Sequence, residues 1–330
     1  MAEATIILTR HEISTQIDIL QAIDAIEHAM GQFELGHDYL PPKAIFQLPV
    51  EAPGAIAACI TGHTREADLL SMKIGQERGD NLQRGLPTTN SWITAFNPDT
   101  GELLMICDGT LPTMYRTASA AAVATRHLSR QEASTLAVIG AGQLGRQCLR
   151  AVSSVRPFQR ICLYDMNHQA AEAVAGQMMD QLSVPIEVTD VGTACSQADV
   201  IVTATNSRAP IVRSQWVKPG THLSCMGSDL HAKIECDPDL LGRCRLVADF
   251  VEHAVQRGEV SQAIEQGLLP RTCFAGTLGQ VINGTIAGRS GGDQITLYDG
   301  VGIGIQDTTI ARTIYDQAVA RKIGTRIVFS

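Results

Sequence analysis

The stretch Ser134-Thr135-Leu136-Ala137-Val138-Ile139-Gly140-Ala141-Gly142-Gln143-Leu144-Gly145 decides how the rest of the chain is interpreted. Leu136 to Ile139 are apolar on both faces, as in a parallel strand that helices cover on both sides. The three glycines that follow suit a tight turn, a close approach of the backbone to a pyrophosphate, and close contact between helix and strand. A helix that begins near Gln143 would direct its free N–H groups at that phosphate.

A second apolar run supports a dinucleotide site. Residues 160–164 end at Asp165, about twenty residues past the last glycine, where the ribose-binding carboxylate of such sites is found. A carboxylate there accepts hydrogen bonds from the ribose hydroxyls and repels a 2′-phosphate. We therefore expect NAD(H) as the cofactor rather than NADP(H). The alternative for Asp165 is a turn or cap residue that ends a strand.

Composition limits the partners. The chain has 330 residues, of which 45% are hydrophobic, so it can form one or two α/β cores. A net charge of −8 without a basic run argues against nucleic acid and anionic membranes, and no apolar stretch approaches the length of a membrane span. Because no targeting segment is apparent, we expect a cytoplasmic protein that binds small molecules.

Cysteine and histidine spacing gives no metal motif. The 9 cysteines include no CxxC pair and are expected to be reduced, mostly buried thiols. The 9 histidines show neither HxxxH nor HExxH spacing, so no metal site is predicted.

The residues before the glycine-rich stretch predict a separate α+β unit. Apolar periodicity predicts a strand at 5–8, a helix at 17–33, strand-like runs at 42–60 and 68–75, and a hairpin of 91–97 with 102–108. An alanine-rich helix at 117–128 then leads into the nucleotide-binding part. There we expect a helix around 168–181, strands near 186–188, 198–205, 221–226, 247–249 and 296–298, and a C-terminal helix at 307–320.

The predicted fold is therefore an α/β, Rossmann-type doubly wound sheet with a second α+β domain. We place the second domain at residues 1–115, joined by the C-terminal segment 308–330. The dinucleotide-binding domain then covers residues 116–307.

Three charged residues are candidates for chemistry. Lys73 lies in an apolar strand, where it is either a lysine at a sheet edge or an enclosed group whose pKa burial lowers. Arg116 can bind a carboxylate through a two-pronged pair or form a salt bridge between elements. Asp229, at the end of a predicted strand, can face a ligand or cap the next segment. Thr203 and Thr205 lie at the end of the predicted strand 198–205, where ligands of parallel sheets bind.

These motifs together resemble the ornithine cyclodeaminase/mu-crystallin family. The resemblance rests on Lys73, Tyr115-Arg116-Thr117-Ala118, Gly140-Ala141-Gly142, Gly227-Ser228-Asp229, Gly288-Arg289, Tyr298-Asp299-Gly300-Val301-Gly302 and Gln306-Asp307. It runs from about residue 5 to the C-terminus. The family includes cyclodeaminases, alanine dehydrogenases, ketimine and imino-acid reductases and the thyroid-hormone binder mu-crystallin. It implies a Rossmann domain and a substrate domain that dimerises, and thus a homodimer.

The resemblance also implies roles for individual residues. Lys73 and Asp229 correspond to the catalytic residues, and Arg116 to the substrate-carboxylate arginine. We assign the cofactor site to Thr117, Gly140, Gly142, Gln143, Leu144, Gly145, Asp165, Thr203, Thr205, Met226 and Gly300. Two positions depart from the family pattern: Lys43 follows Pro41-Pro42 where a second arginine is usual, and Gly300 replaces a serine.

The expected activity is the NAD(H)-dependent interconversion of an α-amino acid and its α-imino acid. Lys43 gives a looser carboxylate anchor than arginine, which favours net redox chemistry. The alternatives are an ornithine or lysine cyclodeaminase that uses NAD⁺ catalytically and releases ammonia, and a mu-crystallin-like binding protein.

Overall fold

The structure is a computed structural model that describes residues 4–36, 38–48, 56–230 and 233–329. The chain forms two compact units. Unit 1 consists of Met1–Arg116 and Ile303–Ser330, and unit 2 is Thr117–Gly302. Among the described residues, no helix is both long enough and apolar enough to cross a membrane.

Fifteen strands are present in the described residues. They are β1 (Thr5–Leu8), β2 (Ala44–Gln47), β3 (Ile56–Thr64), β4 (Leu69–Glu77), β5 (Thr89–Phe96), β6 (Leu103–Asp108), β7 (Thr135–Ile139), β8 (Arg160–Tyr164), β9 (Ile186–Val188), β10 (Val200–Thr203), β11 (His222–Cys225), β12 (Cys244–Ala248), β13 (Phe274–Thr277), β14 (Ile295–Asp299) and β15 (Thr325–Ile327).

Eleven α-helices accompany them in the same part of the chain. They are α1 (Arg10–Ser14), α2 (Ile19–Phe33), α3 (Thr110–Leu128), α4 (Gln143–Ser153), α5 (His168–Leu182), α6 (Val191–Gln197), α7 (Pro238–Leu241), α8 (Val251–Arg257), α9 (Ser261–Glu265), α10 (Leu278–Ile282) and α11 (Gly304–Arg321).

Unit 1 is built on a seven-stranded mixed sheet in the order β15-β1-β6-β5-β4-β3-β2. β1 pairs in parallel with β6, and the other pairs are antiparallel. β4 is an interior strand, and its register places Ile60 of β3 and Ile93 of β5 directly beside Lys73. Lys73 therefore lies inside the sheet, which excludes the edge-strand alternative.

Helix α11 packs on the Lys73 face of this sheet by a direct backbone approach. A Cβ atom on Gly62 or Gly304 would collide with backbone atoms of the opposing segment, so both positions require glycine. The Thr308 hydroxyl donates to the carbonyl of Gly62, at 3.0 Å, and lies 2.7 Å from the hydroxyl of Ser71. These contacts bring the first turn of α11 down onto β3 and β4.

Unit 2 contains an eight-stranded, wholly parallel sheet in the order β13-β12-β14-β11-β10-β7-β8-β9. β7, β8 and β9 follow one another toward one edge of the sheet, and β10 then returns to the other side of β7. The order of the strands therefore reverses at the boundary between β7 and β10. This is the Rossmann arrangement, whose ligands bind outside the carboxyl ends of the strands at that reversal. The predicted α/β, doubly wound fold is confirmed.

Several element boundaries differ from the sequence predictions. α3 begins at Thr110 rather than Thr117, because Pro112 falls in the first turn, where its missing N–H does no harm. α11 begins at Gly304 rather than Asp307. The strand-like run 42–60 is two strands, β2 and β3, and residues 49–55 between them lie outside the described residues.

Candidate functional site

The Lys73 side chain is enclosed within unit 1. It is 5% exposed, and its Nζ lies 2.9 Å from Oδ1 and 2.8 Å from Oδ2 of Asp307. Burial lowers the pKa of Lys73 to about 8, although the charge of Asp307 acts in the opposite direction. The charges of Arg116 and Lys43 act in the same direction as burial, and the pKa of about 8 is the net result. An amine with this pKa can gain or lose a proton near neutral pH.

Arg116, near the middle of α3, reaches the same carboxylate. Its Nε donates to Asp307 Oδ1 at 3.2 Å and its Nη1 donates to Gln306 Oε1 at 3.3 Å. The arginine is 7% exposed, so its guanidinium is held in a dry environment. The salt bridge between elements that the sequence allowed is therefore present, and it fixes the plane of a group that is suited to binding a carboxylate.

Asp307 itself is a buried anion between two cations. Burial alone would raise the pKa of Asp307, but the charges of Lys73 and Arg116 outweigh it and hold this pKa below its usual value. The carboxylate also lies in the first turn of α11, where the helix dipole favours a negative charge. Lys43, half-buried before β2, contributes a third positive charge to this cluster.

The glycine-rich turn of unit 2 has the geometry that its spacing predicts. Gly140 has a φ of +111°, and a Cβ atom on it would lie 2.6 Å from the carbonyl oxygen of Ala204. A Cβ atom on Gly145 would collide with the carbonyl oxygen of Gly140. Gly142 is the N-cap of α4 and has no neighbour that a Cβ atom would meet within 4 Å. Gln143 and Leu144 form the first turn of α4, whose N-cap provides no side-chain acceptor.

Asp165 follows β8 and is tied to the glycine-rich turn. Its Oδ2 accepts a hydrogen bond from the Ala141 N–H at 2.7 Å, and its Oδ1 accepts one from the Asn167 N–H at 2.8 Å. The residue therefore acts as a turn residue and also holds a carboxylate beside the glycines. A carboxylate accepts about four hydrogen bonds, so two acceptor positions are available for ribose hydroxyls.

Thr203 and Thr205 face a carboxylate that the sequence analysis did not identify. Thr203 Oγ1 donates to Glu235 Oε2 at 2.6 Å, and Glu235 Oε1 accepts from Thr205 N and Oγ1, both at 2.8 Å. The Gly227 N–H also donates to Glu235 Oε2, at 3.0 Å. Burial raises the pKa of Glu235 although these hydrogen bonds lower it. Both threonine hydroxyls are thus engaged in joining loops within the protein.

The remaining predicted residues of unit 2 lie at its strand ends and in α3. Asp229 follows β11, and its half-exposed carboxylate accepts a hydrogen bond from Lys233 Nζ at 3.0 Å. Met226 and Gly300 meet closely, since a Cβ atom on Gly300 would lie 2.6 Å from Met226 Cε. Thr117 is buried in α3.

Two cysteines and a glutamate that the sequence analysis did not group lie close together in the core. Cys225, Cys236 and Glu259 place their ligand atoms within 4.8 Å of one another. The Glu259 carboxylate already accepts from the N–H groups of Glu235 and Cys236, and the thiol of Cys225 and burial raise the pKa of Cys236. Hydrogen bonding within the core accounts for this arrangement.

Sequence reasoning missed Asp307 and Glu235 as partners of the predicted residues. Asp307 was visible in the family motif, but the motif does not show that it faces Lys73, which lies 234 positions away. Glu235 carried no motif signal. The sequence did place this acidic residue between two apolar ones, Ile234 and Cys236, both of which are buried in the structure. An acid in such a position can indicate an enclosed carboxylate.

With this geometry in place, comparison with known proteins identifies the family. The family model for the ornithine cyclodeaminase/mu-crystallin family matches residues 3–322, and the chain belongs to this family.

Three solved structures resemble the chain over nearly its whole length. An archaeal alanine dehydrogenase dimer with bound NAD is 30% identical, with a TM-score of 0.94 and coverage of 99% of this chain and 100% of that one. The Δ1-pyrroline-2-carboxylate reductase of Thermococcus litoralis, in complex with NADH and L-proline, is 26% identical, with a TM-score of 0.94 and coverage of 98% and 100%. The iminosuccinate reductase of Paracoccus denitrificans, in complex with NAD⁺, is 29% identical, with a TM-score of 0.90 and coverage of 99% and 100%.

Proposed function

We propose that this protein is an NAD(H)-dependent oxidoreductase that interconverts an α-imino acid and the corresponding α-amino acid. The observation that carries the proposal is the buried cluster of Lys73, Arg116 and Asp307, which combines a proton-transfer group with a carboxylate-binding group. The alanine dehydrogenase, pyrroline-2-carboxylate reductase and iminosuccinate reductase described above, all bound to NAD or NADH, support it.

The residues of unit 2 fit a dinucleotide. The open space at Gly142, the uncapped N-terminus of α4 and the carboxylate of Asp165 are the features that a pyrophosphate and an adenosine ribose require. Gly140, Gln143, Leu144 and Gly145 complete this turn. Bound there, NADH supplies a hydride from its nicotinamide ring to an imine carbon.

Arg116 holds the substrate carboxylate in this proposal, and Lys43 assists it. The bonds to Asp307 and Gln306 use two of the five N–H donors of the guanidinium and orient the others. A carboxylate held in this way fixes the orientation of the substrate, and such ordering makes a hydride transfer effectively intramolecular.

Lys73 supplies or removes the proton on the substrate nitrogen or on a water molecule. Its pKa of about 8 leaves it mostly protonated at neutral pH, so it can donate during imine reduction. Asp229 stabilises the cationic iminium that precedes reduction.

One observation favours net redox chemistry over cyclodeamination. Among the described residues, the β3 and β5 neighbours on the Lys73 face are Ala58, Ile60, Gly62, Ser91, Ile93 and Ala95. None of them carries a carboxylate for the distal ammonium of ornithine or lysine. Glu77 of β4 shares this face four residues farther along the strand, and the acid beside Lys73, Asp307, is already paired with Lys73 and Arg116.

The protein is further proposed to act as a homodimer in the cytoplasm. The sheet face opposite Lys73 exposes Tyr39, Phe46, Ile74 and Trp92, a set of large apolar side chains on one surface. The alanine dehydrogenase of the same fold is a dimer. All nine cysteines are free thiols, as in a reducing compartment.

The test is an assay that separates the two reactions. In the first assay, purified protein is mixed with NADH and either a small α-keto acid plus ammonia or methylamine, or a cyclic imino acid. In the second assay, it is mixed with ornithine or lysine and trace NAD⁺. We expect NADH oxidation in proportion to amino-acid product. Ammonia release from ornithine without imine-dependent NADH oxidation would contradict the proposal.

The variant Lys73→Ala checks the assigned role in the same assay. It should lower turnover by roughly a hundredfold or more, the usual scale for a positioned acid or base, while NADH binding stays unchanged. Lys322→Ala, which removes an exposed lysine just after α11, is the matched control and should retain activity.

A further inference from the structure

We infer that Asp307 is a positioning residue that keeps Lys73 protonated and directed, and that orients Arg116 for the substrate carboxylate. The inference rests on the proposed function, because it gives a role to a third member of the same cluster. It goes beyond the assigned residues, since Asp307 acts through Lys73 and Arg116.

The contacts of Asp307 support this role. Both of its carboxylate oxygens lie within 3 Å of Lys73 Nζ, and Oδ1 also accepts from Arg116 Nε. The carboxylate is 1% exposed, so solvent does not screen these interactions. One anion thus sets the positions of both cations.

The backbone of unit 1 fixes Asp307 in place. The close approach of Gly304 to Thr61 and Gly62, and the bonds of Thr308 to Gly62 and Gly304, hold the first turn of α11 against the sheet. Asp307 cannot move away from Lys73 without breaking this packing. The position of the carboxylate is therefore rigid, as pre-organised catalysis requires.

The charges that face Lys73 come from three elements. Asp307 of α11 favours the ammonium form, whereas Arg116 of α3 and Lys43 before β2 disfavour it. The strand neighbours Ile60 and Ile93 are uncharged. Burial and two positive neighbours lower the pKa of Lys73, and the negative charge of Asp307 raises it. Removal of Asp307 should therefore lower this pKa, so that Lys73 loses its proton at a lower pH.

The first experiment measures Lys73 without substrate. Lysines of the full-length protein are labelled with acetic anhydride across a pH series, and mass spectrometry follows the peptide that contains Lys73. The wild-type labelling midpoint should lie near pH 8. In Asp307→Asn it should fall by about one pH unit or more, the usual effect of losing an adjacent opposite charge.

Two further variants make the result decisive. Asp307→Ser has a smaller neutral side chain and serves if the asparagine variant does not fold; it should lower the midpoint in the same way. Asp316→Asn removes an exposed carboxylate from the same helix, one that pairs with Arg312, and should leave the midpoint unchanged. A wild-type midpoint in the Asp307 variants, or an equal shift in Asp316→Asn, overturns the inference.

The second experiment follows catalysis. For imine reduction, kcat/KM should decline as the pH rises through the pKa of Lys73. In Asp307→Asn the midpoint of this decline should fall by the same amount as the labelling midpoint. KM should also rise, because Arg116 loses its partner. Loss of rate with an unshifted pH profile would mean that Asp307 is merely structural. The labelling experiment needs no substrate. If the proposed function is wrong, the labelling shift still appears and only the kinetic result is lost, so this outcome differs from a failure of the role of Asp307.

Discussion

The Asp165 carboxylate shows how one residue joins local structure to recognition. It accepts the N–H of Ala141 in the glycine-rich turn and the N–H of Asn167 that follows β8. These bonds hold a full negative charge where an adenosine ribose is expected. Such a charge accepts hydroxyl hydrogen bonds and repels the additional phosphate of NADP.

Cofactor preference is the prediction at this scale. Asp165→Ser removes the charge and introduces a hydroxyl, so we expect weaker binding of NADH and stronger binding of NADPH. The ratio of their affinities should change by about tenfold or more, since one such interaction contributes about 1.5–3 kcal/mol. Fluorescence titration with both cofactors measures it. Asp180→Ser, at an exposed position of α5, is the control, and an unchanged ratio in Asp165→Ser would contradict the assignment.

At the scale of elements, Glu235 joins two strand ends of unit 2. Its carboxylate accepts hydrogen bonds from Thr203, the last residue of β10, from Thr205 just beyond it, and from Gly227 beyond β11. Gly227 packs so closely that a Cβ atom would lie 2.6 Å from Glu235 Oε1. Loops at the carboxyl ends of these strands are where a Rossmann fold binds its ligand, so Glu235 determines the shape of that edge.

Glu235→Gln should therefore weaken both stability and cofactor binding. The amide places a donor where Thr203 or Thr205 already donates, which leaves a buried polar group unsatisfied and costs about 1–3 kcal/mol. Thermal unfolding and NADH titration measure the two effects. Glu187→Gln, an exposed glutamate of β9, provides the comparison and should behave as the wild type. If Glu235→Gln binds NADH as tightly as the wild type, the hydrogen bonds of Glu235 are not needed to shape the ligand-binding loops of unit 2.

The open sheet face is the main feature at the scale of the whole molecule. α11 covers the face of the unit 1 sheet that carries Lys73, whereas Tyr39, Phe46, Ile74 and Trp92 are each more than half exposed on the other face. Ile74 and Trp92 are direct neighbours in the register of β4 and β5. Exposed apolar side chains grouped in this way are typical of a surface that a second chain covers.

Charge on this face should therefore prevent the proposed association of two chains. We expect light scattering to give the mass of two chains for the wild type and of one chain for the double variant Ile74→Asp/Trp92→Asp. Leu268→Asp, which alters an exposed leucine of unit 2, should remain dimeric. A wild-type mass equal to one chain, or a double variant that stays dimeric, would show that this face does not mediate association.

The sequence by itself determined the features that depend on short segments. The glycine-rich turn, Asp165 at the end of β8 and the doubly wound sheet follow from local spacing and periodicity, because neighbouring residues impose those constraints. The sequence also marked Lys73, Arg116 and Asp229 as candidates through their places in predicted elements, and the resemblance to the family gave them their roles. Boundaries were less well predicted, as the early start of α3 shows, because a proline such as Pro112 interrupts a helical pattern in sequence and yet fits the first turn of a helix.

Only the tertiary structure decided which charges meet. Lys73 and Asp307 are 234 positions apart, and their contact depends on α11 packing against β3 at two glycines whose role no local pattern reveals. The same is true of Glu235, which occupies the hydroxyls of Thr203 and Thr205. Electrostatic environment and hydrogen-bond partners depend on distances in space, and these exist only after the chain has folded.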